Sequence, residues 1–181
     1  MRRTRQDEPG KVHLIFFFAK YHPTVPRKKA EDEILDRYRA ALETHLIVVP
    51  GSCEAVRSLA AEFALGLVSG SHRREILWAL NKLDLLKYFK VILGAEDYPK
   101  SKPAPDGYQK AMKELGATPE GTVIFEDSQA GIASGRAVGA WVVAITSTNH
   151  FGQETAQSHC QIQDFTNVTP EWVRGKFLAP V

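Results

Sequence analysis

Three short stretches set side chains suited to phosphoryl chemistry at the ends of apolar runs. Ser69-Gly70-Ser71 follows "FALGLV" (63–68), Lys102 lies in "EDYPKSKPAPD" after "KVILGA" (90–95), and Glu126-Asp127-Ser128 ends "TVIFE" (122–126). A serine hydroxyl donates to a phosphate oxygen, and the N–H groups of Gly70 and Ser71 can join it. Lys102 adds a compact positive charge. Asp127 offers the hard anionic oxygen that Mg²⁺ prefers, an ion that keeps several waters and takes one or two carboxylates. Glu126 either ligates such an ion through water or orients Lys102. Plainer roles stand beside these. Asp127 or Ser128 could cap a helix beginning near Gln129, and Ser69 or Ser71 one beginning at Arg73. Lys102 could be solvated in its proline-rich turn. His72, Arg73 and Arg74 either meet an anionic substrate or form a solvated first helical turn. The ordered set of Ser69, Lys102 and Asp127 is more specific than any member.

The elements around these residues predict their convergence. A fourth apolar run, "WVVAI" (141–145), completes a series in which short strands alternate with helical patterns. Val56, Leu59, Ala60 and Phe63 fall at helical spacing, as do Tyr108, Ala111, Met112 and Leu115. Near-continuous apolar strands separated by helices predict an α/β fold, a Rossmann-like parallel sheet with helices on both faces. Ligands of such sheets bind beyond the carboxyl ends of the strands. Gly131, Gly135 and Gly139 recur every fourth residue and predict a smooth helix face for close packing on the sheet. No GxGxxG occurs, so this is not a dinucleotide fingerprint.

Composition narrows the partners. Of 181 residues, 44% are hydrophobic and 24% charged, as in ordinary globular domains. A net charge of +2 gives no bulk attraction to nucleic acid or membrane. No apolar run reaches spanning length. Cys53 and Cys160 are far apart and form no metal-ligand spacing, so the expectation is reduced thiols in a cytoplasmic protein.

The beginning of the chain reads differently. "AEDEILDRYRAALE" (30–43) is an amphipathic helix with Ile34, Tyr38 and Leu42 on one stripe. "KVHLIFFFAKY" is apolar on all sides, and "HPTVP" breaks the chain. "VVPGS" (48–52) resembles a hinge. The division expected is a helical segment over 1–46 and the sheet domain over 47–181.

Together, "LGLVSGS", "SKPAPDGYQKA" and "VIFEDSQAGIASGRAVGAWVVAI" resemble the haloacid dehalogenase-like hydrolase superfamily, in its β-phosphoglucomutase and phosphoglycolate-phosphatase-like group. The resemblance covers about residues 47–170. It implies a phosphatase or phosphomutase acting on a small phosphorylated metabolite with Mg²⁺. It implies that Ser69, with Gly70 and Ser71, binds the phosphoryl group and that Lys102 neutralises charge there. It also implies that Asp127, with Glu126 beside it, holds the metal. Residues 1–46 then become a remnant of the family's helical cap, with 12–20 helical. The family's first motif, a strand ending in DxDGT, supplies the aspartate nucleophile and a general acid/base. No DxD occurs in this sequence. In the family that strand lies between the strands ending here at Ser69 and Glu126, and residues 13–18 are the alternative occupant of that slot. Three readings follow: an enzyme chain incomplete at its beginning, a non-catalytic phosphate-binding relative, and a protein-interaction module.

Overall fold

Residues 48–148 and 154–178 are described by the computed structural model. The chain divides into two compact units, 1–47 and 48–181, and every described residue belongs to the second. The expected helices at 12–20 and 30–43 lie outside the described residues.

The second unit alternates helices and strands. It begins with α1 (Ser52–Leu59) and β1 (Leu65–Val68), then α2 (Arg73–Lys82), a 3₁₀ turn (Leu86–Tyr88) and β2 (Phe89–Leu93). There follow α3 (Asp106–Leu115), β3 (Val123–Glu126), α4 (Gln129–Ala137) and β4 (Trp141–Ile145). The last elements are β5 (Cys160–Ile162), α5 (Pro170–Val173) and a π-helical turn (Arg174–Leu178). The expected strand at 141–145 is observed with those bounds, and the other three fall within one or two residues of theirs. Phe63, which the pattern allows to either element, belongs to neither α1 nor β1. β5 has no counterpart among the expected strands, because three residues carry no periodicity.

All pairings are parallel, but among the described residues they form two sheets, β1–β2 and β3–β4–β5. The division falls between β1 and β3, where the resemblance puts the first-motif strand. Residues 13–18, the alternative occupant, lie outside the described residues. Side chains nevertheless join the two sheets. Leu65 of β1 and Val123 and Phe125 of β3 pack in one cluster with Ala55 and Leu59 of α1 and Val168 and Val173 near the end of the unit.

β4 is the middle strand of its sheet, and Val142, Val143 and Ala144 are fully buried. Burying each valine side chain stabilises the fold by about 1.5–3 kcal/mol before entropy is counted. α4 lies close on β4 because Gly135 has no side chain: a Cβ there would meet Val142 Cγ2 at 2.8 Å. The three-glycine face is corrected in one respect. α4 ends at Ala137, and Gly139 lies beyond it with φ of +79°, so Gly139 turns the chain instead of packing on the sheet. On β3 the side chains alternate: Ile124 and Glu126 are buried, Val123 and Phe125 half-buried. Ile124 packs with Tyr108 and Met112 of α3. The two-residue strand period turns Glu126 to that same face. Among the described residues no helix is long and apolar enough to cross a membrane.

Two buried tyrosines make the fold sensitive to alkali. Burial, and next the charge of Glu126, push both the Tyr98 and Tyr108 hydroxyls above their ordinary value of 10.0. The unfolded chain ionises near 10 while the folded chain keeps its protons. Stability from these groups is therefore complete below pH 10 and lost as pH rises above it. Urea denaturation across pH 8–11 is expected to show this fall, shallower in Tyr108→Phe. An equal slope in both proteins would contradict it.

Candidate functional site

Lys102 ties the carboxyl end of β1 to that of β3. Its ammonium donates to the Val68 carbonyl at 3.3 Å and to Glu126 Oε1. The Lys102 side chain is 18% exposed and that of Glu126 only 7%, so the ion pair is largely withdrawn from water. The ammonium also lies 4.9 Å from the ring centroid of Tyr108, within cation–π reach.

Every oxygen of Glu126 is engaged. Oε1 also accepts from the Tyr108 hydroxyl at 2.6 Å. Oε2 accepts from the Asp127 N–H at 3.1 Å, the Ser128 N–H at 3.2 Å and Ser128 Oγ at 3.0 Å. Burial opposes ionisation, but the Lys102 charge and these hydrogen bonds outweigh it and hold the carboxyl below its ordinary value. The carboxylate sits in a space left by Gly131, since a Cβ there would overlap its carbon and both oxygens.

Of the two roles the sequence left open for Glu126, the geometry shows the contact with Lys102. The Glu126 oxygens are committed to Lys102 and to Asp127 and Ser128, just before α4. Asp127, the next residue, is exposed, as strand alternation requires. The capping alternative belongs to Ser128: its hydroxyl accepts from the Gly131 N–H at 3.0 Å while donating to Glu126. Among the described residues no group of three His, Cys, Asp or Glu side chains could hold a metal ion.

Ser69 is fixed at the same edge by its backbone. Its N–H donates to the Leu93 carbonyl at 3.0 Å and its own carbonyl accepts from the Tyr98 hydroxyl at 2.9 Å. The Ser71 N–H points back to Ser69 Oγ at 3.1 Å. Neither serine caps α2, whose N-cap is His72 without a side-chain hydrogen bond. Among the described residues nothing lies within 4 Å of the point where a Cβ of Gly70 would stand.

Of the three basic residues after Ser71, Arg73 is neither substrate-facing nor simply solvated. Its guanidinium donates to the Ile92 carbonyl at 2.7 Å and pairs with Asp97 at 3.5 Å. Its N–H donates to Glu96 Oε1 at 3.0 Å, and His72 Nδ1 lies 3.4 Å from the other Glu96 oxygen. These contacts lock the loop after β1 to the loop after β2, the one carrying Lys102. Three contributors are not among the expected site residues: Tyr98, Tyr108 and Gly131. Tyr108 is legible in the sequence only as part of the α3 apolar stripe. Its hydroxyl is the one hint, because a buried tyrosine needs a polar partner.

The profile of the haloacid dehalogenase-like hydrolase family matches residues 12–145. The chain is 31% identical over 123 residues to a validoxylamine A 7'-phosphate phosphatase of Streptomyces hygroscopicus subsp. limoneus, covering 67% of this chain and 57% of that one. It is 28% identical over 142 residues to a phosphoglycolate phosphatase of Salmonella paratyphi A, covering 76% and 56%. The chain thus spans less than two thirds of the length of either relative. The fold is similar to CbbY of Rhodobacter sphaeroides, solved in complex with phosphate, with a TM-score of 0.72, 20% identity and coverage of 81% and 67%. It is equally similar to a β-phosphoglucomutase of Clostridium difficile, with a TM-score of 0.72, 19% identity and coverage of 91% and 73%. The match over most of the chain, on a parallel α/β fold whose strand ends bring Lys102 and Glu126 together, means that the chain belongs to the haloacid dehalogenase-like hydrolase family.

Proposed function

We propose that the carboxyl edge of this unit binds the phosphoryl group of a small phosphorylated metabolite, as part of a phosphatase or phosphomutase site. The observation that carries the reading is Lys102. Two of its three ammonium protons go to Val68 and Glu126, and the third remains for a ligand oxygen at the end of β1. Ser69 Oγ and the N–H of Gly70 are the neighbouring donors. In this reading Asp127 alone supplies a carboxylate to Mg²⁺, with water completing the ion's shell. A bound Mg²⁺ would neutralise phosphoryl oxygens. One protein carboxylate is at the lower limit for that ion, so binding is expected to be weak.

The sequence given contains no DxD, and with it no carboxylate nucleophile in the family's pattern. In the family's pattern that aspartate is the group that takes the phosphoryl group covalently. The expected activity of this chain on phosphate monoesters with Mg²⁺ is therefore nil. A second reading is a non-catalytic phosphate-binding or protein-interaction relative.

Thermal melts with phosphate, with Mg²⁺ and with both test the first reading. At about ten times its Kd, phosphate should stabilise the fold by about 1.4 kcal/mol. The shift should shrink in Ser69→Ala, and Mg²⁺ should add little. No shift with phosphate at any concentration would overturn the binding site. A large joint stabilisation lost in Asp127→Asn would instead mark an intact metal-and-phosphate binding protein. Turnover lost in Asp127→Asn would refute the expected inactivity.

A further inference from the structure

We propose that Tyr108 is a positioning residue for the Lys102 ammonium, holding it between Val68 and Glu126 with one N–H free; the inference rests on the phosphoryl-binding reading of this edge. Its ring, 8% exposed, packs with Met112, Ile124, Val138 and Ala140, which would suffice for an ordinary core residue. What sets it apart is the partner of its hydroxyl. Tyr108 donates at 2.6 Å to Oε1 of Glu126, the same oxygen that accepts from Lys102.

The two donors therefore share one acceptor. Glu126 receives five hydrogen bonds in all, against about four lone-pair positions on a carboxylate. Oε2 is held by three donors from Asp127 and Ser128, just before α4, so the carboxylate cannot turn to offer Lys102 a different oxygen. The space vacated by Gly131 is filled by the same carboxylate, which bars a shift towards α4. Under these constraints the Tyr108 hydroxyl withdraws part of the negative charge that Oε1 presents to the ammonium. Lys102 then keeps its second bond, to the Val68 carbonyl, beside Ser69. With the hydroxyl removed, Oε1 would face Lys102 alone. The ammonium would be drawn to Glu126 and away from the open edge.

Tyr108→Phe keeps the ring and removes only the hydroxyl. Lys102 acetylation by acetic anhydride at fixed pH, read by peptide mass spectrometry against exposed Lys90 and Lys113, reports how firmly the amine is held. Labelling of Lys102 in Tyr108→Phe is expected to slow about threefold to tenfold, the range set by the net worth of one hydrogen bond, and phosphate affinity to fall by a similar factor. Replacing Tyr108 by 3-fluorotyrosine strengthens the donor at nearly constant shape. It should shift Lys102 labelling the opposite way, which keeps the inference testable if the phenylalanine variant does not fold. A purely structural role would change neither ratio. Unchanged Lys102 labelling in either folded variant would overturn the inference. If the original chain does not bind phosphate, the phosphoryl-binding reading fails, and the labelling ratios still decide whether Tyr108 positions Lys102.

Discussion

Lys102→Met is expected to destabilise the described unit by about 3–5 kcal/mol, because it leaves the buried Glu126 carboxylate without its cation. Methionine retains most of the lysine stem, so the loss is one of charge and hydrogen bonding. The four other donors to Glu126 remain, yet none carries a full positive charge. The effect should depend on pH. In the original chain Glu126 is held below its ordinary value of 4.5, so its stabilising contribution is complete above that pH and drains as pH falls through the folded value. The Lys102→Met penalty should therefore be largest at neutral pH. The double variant Lys102→Met with Glu126→Gln should recover more than half of the loss. Urea denaturation of the four proteins in a mutant cycle measures the coupling. A Lys102→Met cost below about 1 kcal/mol, the range of exposed ion pairs, would show that the pair is solvated and that β1 and β3 are not tied by it.

Gly131→Ala is expected to cost about 2–4 kcal/mol, against the usual direction for such a change in a helix. Replacing glycine by alanine inside a helix ordinarily gains about 1 kcal/mol. Here the new methyl would occupy the space of the Glu126 carboxyl group. Overpacking of this kind costs about 1–3 kcal/mol by itself. Glu126 could escape only by breaking its hydrogen bonds, and a buried charged acceptor stripped of partners adds a penalty of similar size. Gly175→Ala is the control, since among the described residues nothing lies within 4 Å of its added Cβ. It should stay within about 0.5 kcal/mol of the original. Gly131→Ala should also abolish any phosphate-dependent thermal shift, because displacing Glu126 releases Lys102. A neutral or stabilising Gly131→Ala would mean that α4 moves away from β3 at little cost.

Four strands, the helix carrying Tyr108 and the positions of Ser69, Lys102, Glu126 and Asp127 can be read from the order of residues. The physical reason is local. A buried strand announces itself by four or five consecutive apolar residues, and parallel strands must end on one edge, so polar groups after each run converge whatever the detailed packing. The helical period of 108, 111, 112 and 115 is local in the same sense. What α3 packs on is not. Only the folded unit puts the Tyr108 hydroxyl on Glu126, because that contact spans 18 residues and depends on how α3 lies across β3. The division of labour between Glu126 and Asp127 is half legible. Strand alternation from Ile124 already turns Glu126 inward and Asp127 outward, but whether the inward face holds an apolar wall or a lysine is decided by the neighbouring loop. The glycine spacing marks Gly131 as a packing residue for the sheet, and the group it accommodates is the carboxylate at the end of β3. β5 leaves no trace in the pattern, and the division between β1 and β3 is legible only through the absent first motif. Three residues are too few to show a period, and pairing between strands is a property of distant segments that meet only when the chain has folded.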